Sequence, residues 1–166
     1  MRKKTAFALT FVIALASCAC QKQSTTSEIK ELKKQLENET KQLQKIEKEN
    51  CAEIRENCHF CDSMLQFAPK EKIEAYFEKL NLAQAYLLQF NEMKPVMEKK
   101  FDYAQQQLDN LMNDITSNYI NDSLANIYLS DEQKVADTLH EQLLYFEDRL
   151  GLQKKELNSL KQTLLH

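Results

Sequence analysis

Glycine and proline are nearly missing from this sequence, with one and two in 166 residues, and tryptophan is absent altogether. A sandwich, a barrel or a doubly wound sheet reverses its chain many times and uses glycine to do so, so a single glycine excludes these folds. The phosphate-cradling loops go with them, because G-x-G-x-x-G and the P-loop each need at least two glycines. A net charge of -3 offers no basic surplus for nucleic acid. No apolar run reaches the ~20 residues that a membrane-spanning helix requires. What remains is abundant charge, 28% of residues, mixed with 43% hydrophobic residues. The spacing of those two classes predicts an all-α protein.

The amino terminus reads as an address. Arg2, Lys3 and Lys4 precede the apolar stretch Ala6 to Ala16, the charge and length pattern of a secretory signal peptide. Leu15-Ala16-Ser17-Cys18 stands at its end. These four residues resemble the lipobox of bacterial lipoproteins. The resemblance covers residues 1–18 only and implies removal of residues 1–17, a diacylglycerol on the Cys18 sulfur and, usually, an acyl chain such as palmitate on its new amino group. Ala19, not Asp, follows the anchor, which by analogy with the enteric sorting rule favours the outer membrane. Cleavage removes three basic residues and no acidic one, taking the net charge from -3 to -6. The lipid, not charge, is then expected to hold the protein on its membrane.

Residues 18–27 are polar and aperiodic beyond the anchor and predict a flexible tether, with Ser27 capping the first helix. The domain at 28–166 is expected to be an elongated antiparallel three-helix coiled coil or bundle, with helices over about 28–68, 70–120 and 131–165. On the first, Ile29, Leu32, Leu36, Leu43, Ile46, Ile54, Cys58, Cys61 and Leu65 recur at three- and four-residue steps. Glu39 and Asn50 occupy apolar slots, and the phase slips between Asn50 and Ile54. Pro69 ends this helix.

The second helix has the strongest pattern: Ile73, Leu80, Leu87, Lys94, Phe101, Leu108 and Ile115 in one row, Tyr76, Ala83, Phe90, Met97, Ala104 and Leu111 in the other. Lys94 is its cationic defect. The phase holds across Pro95, which predicts a kink in one long helix; a break there would make four helices. Asn118 to Asn126 reads as a loop leading into a single turn. Ser130 with Gln133 reads as the capped start of the third helix, whose rows are Leu143, Leu150, Leu157, Leu164 and Leu139, Phe146, Gln153, Leu160.

Cys51, Cys58 and Cys61 share one face of the first helix. With His59 they are candidates for a disulfide or a metal site, though on a regular helix His59 points about 100° away from Cys58. Asp62 follows Cys61 where c-type haem attachment needs histidine. Asp122-Ser123-Leu124, with Asp62-Ser63-Met64 and Asp137-Thr138-Leu139, resembles an acceptor motif for periplasmic O-glycosylation and marks Ser123 as a candidate. Tyr86, Tyr103, Tyr119 and Tyr145 lie beside or off the seams and are candidates for a partner surface. No nucleophile–base pair, cofactor motif or small-molecule site emerges. The functional expectation is a non-catalytic, lipid-anchored envelope protein that works by self-association or by contact with a protein partner. The alternative is a periplasmic thiol-redox or zinc-binding protein using the cysteine face.

Overall fold

The computed structural model describes residues 5–165, with side chains described from Ser24 onward. The expectations for the signal peptide and for Cys18 therefore fall outside the described side chains. The elements are α1 (Thr5–Lys45), a π-helical turn (Ile46–Cys51), α2 (Ala52–Met64), a 3₁₀ turn (Leu65–Phe67), α3 (Lys70–Thr116) and α4 (Asp122–Leu165). Among the described residues there is no β-strand, as the glycine content demands.

The chain forms two compact units. The first joins residues up to Glu37 with Phe101–Asp137; the second joins Asn38–Lys100 with the residues from Thr138 on. In the first unit Ile29, Leu32 and Leu36 of α1 are buried, as are Phe101, Leu108 and Ile115 of α3 and Ala125, Leu129 and Ala136 of α4. In the second unit the core takes Leu43, Ile46 and Ile54, then Leu80, Leu87, Phe90 and Met97, then Leu143, Phe146, Leu150 and Leu157. Three helical paths thus contribute to each core, the first of them in the second unit running through α1, the π-turn and α2. Phe90 and Phe146 meet edge to face, with ring centroids 5.4 Å apart, a geometry that adds to simple burial.

Side-chain bonds give the helix directions in the second unit. Asn57 bonds Asn158, Asn158 bonds Glu53 and Gln42 bonds Glu147, pairs separated by 101, 105 and 105 residues. A near-constant separation means that the first helical path and α4 run parallel. Lys79 pairs with Glu156 and Phe90 with Phe146, so residue numbers fall on α4 as they rise on α3, and these two are antiparallel. Lys94 pairs with Glu47 and Arg55 with Asn91, which sets α3 antiparallel to the first path as well.

Three sequence expectations are corrected, and one alternative falls away. Helix α1 is continuous through Ser24–Ser27, so Ser27 lies inside it, and Thr25 is already buried. Pro95 lies within the unbroken helix α3 and is exposed; the four-helix alternative does not occur, because a proline on the outer face need not interrupt the buried rows. The loop expected over Asn118–Asn126 ends at Asn121, where the Leu124 N–H donates to Asn121 Oδ1 at 2.9 Å and the Ala125 N–H to the Asn121 carbonyl at 3.0 Å. Asn121 is therefore the cap of α4, and Ser130 sits within the helix. Ala125, Leu129, Glu132 and Ala136 continue the α4 rows at regular steps, but alanine and glutamate at those slots hide the apolar signal.

The phase slip on the first helix has a local structure. Buried positions advance by three and four residues to Ile46, then by five to Cys51, then by three to Ile54. The π-helical turn Ile46–Cys51 absorbs that one extra residue. Cys51, not Asn50, fills the slot.

Candidate functional site

The cysteine face, Cys51 of the π-turn with Cys58 and Cys61 of α2, lies in the second unit. Cys51 and Cys61 are fully buried and Cys58 is 6% exposed, while His59 is exposed. All three thiols are free. Burial pushes Cys51 and Cys58 up to about 11, against a partial lowering at Cys51 by Arg55, and it raises Cys61 as well. A thiol held protonated in an apolar setting is a weak nucleophile and a weak metal ligand. Among the described residues no group of three or more His, Cys, Asp or Glu is placed to hold a metal ion. The structure thus brings the three thiols into the core and leaves His59 outside.

Polar groups tie α4 to the first helical path at several levels. The seam slot of Glu39 is filled by a buried carboxylate whose Oε1 lies 2.9 Å from His140 Nδ1. Farther along, Asn158 Nδ2 donates to Glu53 Oε1 at 2.8 Å and Lys154 lies 2.7 Å from Glu53 Oε2. The Asn158 hydrogen bond and then Lys154 hold the Glu53 carboxyl below its ordinary value. Lys94, the cationic seam residue, meets Glu98 at 2.8 Å and Glu47 of the π-turn at 3.2 Å. The bond to Glu98 raises its pKa more than burial lowers it. The partnership of His140 with Glu39 is legible only in retrospect, as an acid in an apolar slot 101 residues before a histidine on a parallel helix.

The surface carries large apolar side chains that the core does not use. Phe77, Leu82 and Leu88 of α3 and Leu144, Tyr145 and Leu152 of α4 are exposed in the second unit. In the first unit the exposed set includes Tyr103, Tyr119, Ile127, Tyr128 and Val135. Of the four tyrosines singled out from the sequence, Tyr86 is half-buried and the others are exposed. Tyr145 packs edge to face on Phe146 and lies under Arg149.

Tyr119 is the most exposed of these residues, at 82%. It stands in the turn that joins α3 to α4. The Tyr119 N–H donates to the Asp114 carbonyl at 2.9 Å and the Asn118 N–H to the Ile115 carbonyl at 3.2 Å, with Asn118 at φ 57°. This 6→1 and 5→2 pair with a left-handed residue is a Schellman motif, and asparagine is among the few non-glycine residues that tolerate it. In that motif the residue at the Tyr119 position frequently packs back on the helix; here it points away. Ser123 is exposed in the first turn of α4, and Ser63 and Thr138 are exposed as well.

Beside this turn Thr25 Oγ1 donates to Asn126 Oδ1 at 3.0 Å. Both residues line a cleft of about 680 Å³ between α1 and α4, together with Leu32, Leu129, Glu31 and Gln133. Among the described residues no helix is long and apolar enough to cross a membrane. The chain matches no protein-family model, no curated protein and no solved structure.

Proposed function

We propose that this chain is a bacterial envelope lipoprotein, held by lipid on Cys18, whose elongated helical coiled-coil body acts as a structural or adaptor component through protein contacts. The observation that carries the reading is the run Leu15-Ala16-Ser17-Cys18 behind a basic and then an apolar segment. Ala19 favours the outer membrane as the site of anchoring. The exposed apolar residues of α3 and α4 supply contact surface that the monomer leaves uncovered.

The first experiment is the intact mass of the protein from cells, with and without Cys18→Ser. Loss of residues 1–17 and gain of a diacylglycerol and an acyl chain is the expected result, abolished in the variant; an uncleaved or unlipidated chain overturns the reading. Hexose increments in the same spectrum, lost in Ser123→Ala, would identify Ser123 as glycosylated. Cross-linking in intact cells then separates an adaptor, which captures a reproducible foreign protein, from a spacer, which captures itself.

A further inference from the structure

We infer that the α3–α4 turn is the membrane-facing end of the first unit, with Tyr119 seated in the headgroup layer of the bilayer that receives the Cys18 lipid. This rests on the proposed anchor.

Two cross-helix bonds orient the unit. Lys33 pairs with Asp109, and Thr25 bonds Asn126. Along α3, Ser117 lies eight residues beyond Asp109, at the turn; along α1, Thr25 lies eight residues before Lys33. Reading α1 backwards therefore leads toward the turn. Asn121 is five residues before Asn126, so the turn lies level with the residues just before Thr25. Cys18 is seven residues before Thr25. Even fully extended, at ~3.5 Å per residue, the stretch from Thr25 back to Cys18 spans no more than about 25 Å. A bilayer holding the acyl chains is therefore within reach of the turn.

The chemistry of the turn fits a lipid surface in one particular manner. No lysine or arginine occurs between Lys100 and Lys134, and Asp114 and Asp122 flank the turn. Charge cannot draw it to anionic headgroups. What it presents is a phenol on an exposed ring, with Ile127 and Tyr128 exposed one to two turns into α4. Tyrosine favours the membrane–water boundary because its ring is apolar and its tip polar. One such ring cannot hold a protein on a membrane, but it can orient one that a lipid already holds.

The chain has no tryptophan, so Tyr119→Trp installs a single indole reporter at a site too exposed to disturb the fold. The lipidated variant is reconstituted into phosphatidylcholine vesicles, and its emission is read with and without brominated lipid. A blue shift and quenching are expected. The same substitution in a Cys18→Ser chain mixed with the vesicles, and in the lipidated chain Tyr103→Trp, exposed on α3 of the same unit and 16 residues before Tyr119, should both stay water-like. If the lipidated Tyr119→Trp protein floats with the vesicles but its indole remains unquenched, the inference fails and the anchor stands; a reporter wet on vesicles but shielded in cells would point instead to a protein partner at the turn. Quenching in the unlipidated chain would overturn the anchor's part in it. A wild-type chain that carries no lipid overturns both.

Discussion

At the scale of single residues, the three core thiols differ from those of a redox or metal centre in their setting. Cys51, Cys58 and Cys61 are buried, and desolvation favours their neutral form. Native protein at pH 8 should therefore leave all three unmodified by iodoacetamide, and denatured protein should take up three additions at these positions, read by peptide mass. The linkage has a definite sign. A thiol whose pKa rises from 9.0 to about 11 on folding binds its proton more tightly in the native state. Stability is then constant below pH 9 and falls between 9 and 11; Cys51→Ala should flatten that limb in urea titrations. Glu53 acts at the other end of the scale. Its lowered pKa favours the charged native form, so its contribution is present above the ordinary carboxylate range and is lost on acidification. Glu53→Gln should reduce the acid dependence slightly, since the pair is partly exposed and screened. The lone glycine has no structural demand on it: a Cβ at Gly151 meets nothing within 4 Å. Gly151→Ala should raise stability by about 1 kcal/mol.

Among the elements, the π-turn is the feature with the sharpest consequence. Deleting one residue from a regular amphipathic helix rotates everything beyond it by about 100° and carries the apolar face out of the core. Across Ile46–Cys51 the chain already holds one residue too many. Deletion of Lys48, which is exposed, should convert the turn to ordinary α-helix and leave both flanking rows in register. Circular dichroism and the denaturation midpoint should be retained or improved. Deletion of Lys34, also on the first helical path, should unfold the protein; equal tolerance of both deletions would mean that the π-turn absorbs nothing. Pro95→Ala should stabilise α3 by up to about 3 kcal/mol, because the ring removes a backbone donor from an otherwise continuous helix. The phase slip and the outer-face position of Pro95 were both legible in the sequence. Which backbone state absorbs the slip was not, because a one-residue excess leaves the same pattern whether it is concentrated in one turn or spread along several.

For the molecule as a whole, the buried seam redirects the search for a partner. Leu36 and Leu43, where self-association through the first helix would have to act, are 1% and 0% exposed within the protein's own core. Substituting aspartate there should unfold the protein, not separate a dimer. An interchain disulfide through the fully buried Cys51 or Cys61 meets the same obstacle. The residues to alter are those left outside: Leu88→Glu with Leu152→Glu should preserve helix content and, where the second unit carries the contact, abolish cross-linking in cells. Unchanged cross-links would move the contact to the first unit, where Tyr103 and Tyr128 are the next residues to change.

Near-absence of glycine, together with apolar residues at steps of three and four, suffices for the all-helical class and most of the buried rows, because both depend only on local geometry. The amino-terminal run that resembles a lipobox is also a local, chemical pattern. Partnership between distant residues is a different matter. That Glu39 faces His140, that Lys94 finds Glu47, that Thr25 meets Asn126 and that Lys33 meets Asp109 all depend on helix direction and offset. Heptad patterns look alike in every register, so only the packed helices could decide these pairings.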